Sequence, residues 1–156
     1  MLTLLSLVTC IGAGLIGGVF FAFSGFVMKA LAELPAEQGV AAMQRINVVV
    51  LNPLFLGVFV GTALLGSVCT GAGAVGWGTP KSTLLLAAGL SYVVGSFGVT
   101  MAFNVPRNDR LAGLESESPE ALAYWPIYVR EWSVWNHVRT LASAASSALA
   151  AAALAY

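Results

Sequence analysis

The sequence predicts an all-α integral membrane protein: a four-helix bundle with one short interfacial helix between helices three and four. Three observations predict it. Hydrophobic residues make up 58 % of the 156-residue chain and charged residues only 9 %. A soluble domain usually carries about 25 % charged residues, so lipid must be the solvent for most of this surface. Four apolar stretches, at about residues 2–28, 46–69, 82–103 and 134–156, each approach the ~20 residues that cross a bilayer core. A backbone facing lipid must satisfy its own hydrogen bonds, which makes helices the default.

The first stretch lacks a positive n-region and a cleavage site before a hydrophilic mature domain, so it is expected to be a retained helix and not a signal peptide. Its Gly14 and Gly18 form a small-xxx-small pair suited to close helix contact. Phe20, Phe21, Phe23 and Phe26 lie toward its later end, where some could line a flat apolar cavity. The connection from Lys29 to Arg45 carries Pro35 at a helix start, and an amphipathic lead-in from Ala36 precedes the second stretch. There Arg45 and Asn52 stand seven residues apart, on one helix face. Pro53 frees the carbonyl of Val49, which needs a new partner at membrane depth.

A Gly-rich turn from Gly71 to Lys81 leads to the third stretch, which carries Tyr92, Ser96, Thr100 and Asn104 at intervals of four. This polar stripe should drift slowly round an α-helix, and Pro106 should end the helix. The long polar segment that follows contains Ser116-Glu117-Ser118-Pro119-Glu120. It reads as the capped, acidic start of a short helix through about Arg130. Trp125, Tyr128, Trp132 and Trp135 suit a membrane–water interface. In the fourth stretch, at about 100° per residue, Trp132, Trp135, Asn136, Arg139, Ser143, Ser146 and Ser147 share an arc about 120° wide that should face inward. His137 lies about 100° to one side of Asn136 and reaches either the interior edge or a neighbouring helix.

Chain-wide features narrow the function. A single domain over residues 1–156 is expected. Net charge is zero, and there is no basic run, P-loop or dinucleotide fingerprint, so no nucleic acid partner is expected. With one histidine and two cysteines, Cys10 and Cys69, no metal site is expected; the cysteines read as inert thiols. Lys29, Arg45, Arg107, Arg110, Arg130 and Arg139 fall on one side of a four-span topology and only Lys81 on the other. The positive-inside rule then makes the charged side cytoplasmic and both termini non-cytoplasmic, in an inner or plasma membrane. Arg45, Asn52, Asn104, Asn136, His137 and Arg139 converge near that end. Polar groups inside a membrane are costly unless they face the bundle interior, so they mark the candidate site.

The stretch Asn104-Val-Pro-Arg-Asn108, then Trp125, then Trp132-Ser-Val-Trp-Asn-His-Val-Arg-Thr140, together with Gly25-Phe-Val-Met-Lys-Ala-Leu31, resembles the anthrone oxygenase family of small membrane proteins. The resemblance spans nearly the whole chain. It implies oxidation of anthrones to anthraquinones with dioxygen and no cofactor. In that reading His137 is the catalytic base, with Arg139 and Asn136 in catalytic roles. Asn136, Arg139 and Asn104 stabilise an enolate oxygen. Asn52, Asn104, Trp132, Trp135 and Phe23 contribute to binding a lipophilic substrate. The alternative is a non-catalytic membrane protein that binds a small molecule or a partner membrane protein; lipid contact is expected either way, and assembly into a homo-oligomer stays open.

Overall fold

The computed structural model describes residues 2–156, and these residues form helices and turns without strands. Four helices are long and apolar enough to cross a membrane: α1 (Leu2–Glu33), α3 (Pro53–Val75), α4 (Pro80–Ala112) and α5 (Pro119–Ala155). A shorter amphipathic helix, α2 (Ala36–Val49), lies between the first two spans. The chain is thus an all-α, integral membrane four-helix bundle. Each span packs mainly against the spans next to it in sequence, and α5 closes the ring against α1. The short connections 76–79 and 113–118 make α3, α4 and α5 antiparallel neighbours.

Local chemistry sets the breaks. The spans α3, α4 and α5 each start with a proline in the first turn, where its missing N–H is harmless. Asn52, Thr79 and Ser118 cap them by accepting from Phe55, Ser82 and Ala121 N–H groups. The second span therefore begins at Pro53, and the lead-in from Ala36 is a separate helix. Asn52 resolves the strain at Pro53 locally: its Nδ2 donates to the Val49 carbonyl at 3.0 Å.

Two other expectations change in detail. The helix begun at Pro119 runs on without interruption through the fourth span, so the interfacial segment is its first part. Pro106 does not end the third span. The helix widens into π-helical turns at Ser91–Gly98 and Thr100–Asn104, then continues to Ala112. Wider turns relieve the clash that a proline imposes on a regular ladder, and Arg107 Nη1 donates to the Phe103 carbonyl at 2.8 Å.

Trp125 and Tyr128 are buried rather than facing headgroups. Helix α2 covers them, placing Val40 and Met43 against Trp125, Tyr128, Trp132, Leu111 and Met28. Gly39 permits this approach, since a Cβ there would stand 2.8 Å from both the Leu31 carbonyl and the Trp125 ring. At the other end of the bundle, α3 and α4 touch backbone to backbone at Gly66 and Gly89. Small residues are what allow membrane helices to come this close.

Gly89→Ala drives a methyl group into the Gly66 carbonyl and the Thr70 side chain. It should lower stability in detergent by about 1–3 kcal/mol, read as an earlier thermal transition. Gly57→Ala, whose Cβ meets nothing within 4 Å, should leave that transition in place.

Candidate functional site

The centre of the bundle holds one cation. Arg139 on α5 is 4 % exposed. Its guanidinium lies between two aromatic faces, 4.1 Å from the Phe20 ring centroid and 4.9 Å from that of Trp132. Nη2 donates to Asn136 Oδ1 at 2.7 Å and Nη1 to Thr100 Oγ1 at 3.3 Å. Its Nε has no partner. Among the described residues the only salt bridge joins Arg107 to Glu131 at 2.9 Å, so no carboxylate neutralises Arg139. Cation–π contact and charge-assisted hydrogen bonds are what hold the charge in place.

The neighbours of Arg139 come from three helices. On α5, Asn136 is fully buried. Its Nδ2 donates to the Phe20 carbonyl and to Ser24 Oγ on α1, both at 2.8 Å. Those two acceptors on one side and an Arg donor on the other leave a single orientation of the amide. On α4, Thr100 donates to the Ser96 carbonyl at 2.8 Å, and Ser143 reaches Ser96 Oγ at 2.9 Å. Asn104 is fully buried, and its Nδ2 donates to the Trp132 carbonyl at 3.2 Å while its Oδ1 is unpartnered. Phe23 packs on Trp132 with ring centroids 5.4 Å apart.

His137 lies at the edge of this network and not in its interior. The residue is exposed, yet its Nδ1 is 2.9 Å from Ser24 Oγ. Ser24 in turn is 3.1 Å from Thr140 Oγ1. Ser24 falls within a π-helical turn of α1, Phe23–Val27, a local geometry that recurs at functional sites. An open groove of about 360 Å³ runs here between α1 and α5, lined by Phe21, Ser24, Gly25, His137, Thr140 and Leu141.

Of the residues expected at the site, Asn104, Trp132, Asn136 and Arg139 meet in the interior, with Phe23 against Trp132. His137 joins them through Ser24. Trp135 is half-buried and stacks on Phe103 at 3.6 Å between centroids. Asn52 stands apart: it is exposed and occupied with its own backbone turn. The Pro53 break separates it from the helix that carries Arg45, so the seven-residue spacing places no common face. Ser24 and Thr140 are the site residues that the residue-by-residue reading passed over. The available signal was that Ser24 is the only hydroxyl between Cys10 and Lys29.

Asn136→Leu strands the Arg139 Nη2 donor and takes one partner each from the Phe20 carbonyl and Ser24. Unfolding in detergent should show a loss of about 1–3 kcal/mol. Adding Arg139→Leu should recover part of that loss, because removing both partners of a buried pair leaves less unpaired than removing one.

Comparison with known proteins adds one match. A family model described as anthrone oxygenase covers residues 54–149. No curated protein and no solved structure matches the chain.

Proposed function

Because the chain belongs to the anthrone oxygenase family, we propose that it is a cofactor-independent oxygenase acting on a lipophilic, anthrone-type aromatic taken from the bilayer. One observation carries the reading. The chain's single histidine opens onto an apolar groove between α1 and α5 while hydrogen-bonded, through Ser24 and Asn136, to a buried guanidinium that lacks a counter-charge.

The chemistry follows from those groups. A methylene flanked by two aromatic rings and conjugated to a carbonyl is acidic. His137, the histidine that opens onto the groove, takes that proton. The resulting enolate is electron-rich and reduces dioxygen. A carbon–oxygen bond forms to give a hydroperoxide, and loss of water leaves the second quinone carbonyl. The methylene and one dioxygen thus become a carbonyl and one water. The positive field of Arg139, relayed by the oriented Asn136 amide, favours the anion as it forms.

In this reading the groove walls Phe21, Gly25 and Leu141 meet the flat substrate. Trp132 acts on it indirectly, by holding the guanidinium, and Phe23 and Asn104 do so one step further out, by packing on Trp132 and bonding to its carbonyl. We further place the groove toward the cytoplasmic side, following the distribution of basic residues.

A second reading has one observation in its favour. The interior cluster is largely closed by its own hydrogen bonds, and the groove lining does not include Arg139. That arrangement also suits a non-catalytic membrane protein binding a small molecule or a partner.

Anthrone oxidation in membranes separates the two readings. His137→Ala should lower the rate by about 100-fold or more; an unchanged rate removes His137 from the mechanism, and no oxidation by the wild type favours the second reading. Arg139→Leu should lose activity and lower stability by about 1–3 kcal/mol, because the buried Asn136 Oδ1 loses its donor.

A further inference from the structure

We infer that Ser24 is a positioning residue that sets the tautomer of His137, protonating Nδ1 and leaving the Nε2 lone pair free for the groove. The inference rests on the reading of His137 as the base, and it is carried by a count of protons around one hydroxyl.

Ser24 Oγ has three polar neighbours: Asn136 Nδ2 at 2.8 Å, His137 Nδ1 at 2.9 Å and Thr140 Oγ1 at 3.1 Å. A serine hydroxyl offers one proton and two lone pairs, so all three contacts are satisfied only by one donation and two acceptances. Asn136 must donate, because its amide is oriented by Arg139 on one side and the Phe20 carbonyl on the other. Thr140 has one proton, and it goes to the nearer acceptor, the Asn136 carbonyl at 2.8 Å. Thr140 Oγ1 therefore accepts from Ser24. With its proton directed to Thr140 and one lone pair taken by Asn136, Ser24 has only an acceptor left for His137. Nδ1 must carry a proton, and in the neutral ring Nε2 then carries none.

The chain of orientation begins at Arg139. Its guanidinium fixes the Asn136 amide, the amide fixes Ser24, and Ser24 fixes the imidazole. Without the hydroxyl, His137 keeps its place on an exposed helix face but loses the contact that selects a tautomer and holds the ring plane. A base held loosely spends less time aligned with the proton it removes.

Because the chain has one histidine, the test needs no assignment. The full-length protein is labelled with ¹⁵N-histidine and held in detergent or bilayers at a pH where the spectrum shows the ring neutral. The nitrogen spectrum should show one protonated and one unprotonated ring nitrogen, with the protonated one correlated to the hydrogens expected for Nδ1. A spectrum of the Nε2–H form overturns the inference.

In Ser24→Ala the two tautomers should mix, and anthrone turnover should fall roughly 10- to 100-fold with little change in KM. Ser24→Thr, which keeps the hydroxyl, should restore both the spectrum and most of the turnover. An unchanged spectrum in Ser24→Ala also overturns the inference. The two readings fail separately. An Nδ1–H imidazole that mixes tautomers in Ser24→Ala supports the positioning role even if no anthrone is oxidised, which sinks the oxygenase reading alone.

Discussion

An uncompensated charge in the middle of the bundle constrains the rest of the structure. On insertion scales a charged side chain at the centre of a membrane helix costs about 3 kcal/mol. Arg139 meets this cost without a carboxylate. Two ring faces, one amide oxygen and one hydroxyl hold it, and Glu131, the nearest acid along its helix, is committed to Arg107. Such an arrangement requires three helices to come together at one level. α1 supplies Phe20 and Ser24, α4 supplies Thr100, and α5 supplies Trp132 and Asn136. It also requires that water be kept out, which the covering of Trp125, Tyr128 and Trp132 by α2 assists at the nearby end.

Interior and groove divide the labour. The interior is polar, buried and knit by hydrogen bonds between three helices, which suits a fixed electrostatic field. The groove is apolar and open, which suits a flat molecule arriving from lipid. His137 and Ser24 are where the two regions touch. Catalytic groups need exposure to meet a substrate and fixed partners to stay aligned. His137 obtains both by standing on an exposed face while its inward nitrogen is tied to the interior.

Much of this was legible in the residues. The inward arc of the fourth span was readable because helical periodicity is strict and polar residues have few tolerable directions in lipid. Trp132, Asn136, Arg139, Ser143 and Ser146 are all buried. The stripe Tyr92, Ser96, Thr100 and Asn104 also faces inward, with three of its members fully buried. A regular α-helix would have carried its ends apart. Turns closed by longer-range hydrogen bonds reverse part of that drift, and no residue pattern announced them.

What escaped the sequence depended on neighbours distant in the chain. Asn52 resembled a site residue because an asparagine before a proline is equally suited to capping. Only the break at Pro53 decides between the two. Trp125 and Tyr128 resembled interface anchors because nothing in their own segment reveals that α2 folds across them. Ser24 passed unnoticed because a lone serine in an apolar helix is ordinary, and its three partners lie more than a hundred residues later.

The wide turns of α4 carry a consequence for how this site tolerates change in chain length. Removing a single residue between Ser91 and Asn104 would let the ladder close into a regular helix, which by itself relieves strain. Tyr92 and Asn104 would then stand eleven residues apart, within about 20° of one face of a regular helix, so Asn104 would keep its approach to Trp132. A helix shortened there keeps this wall of the site, whereas the same deletion in the regular stretch Pro80–Leu90 would swing everything beyond it by about 100°. In this span the count of residues, and not only their identity, is part of what builds the binding of the guanidinium.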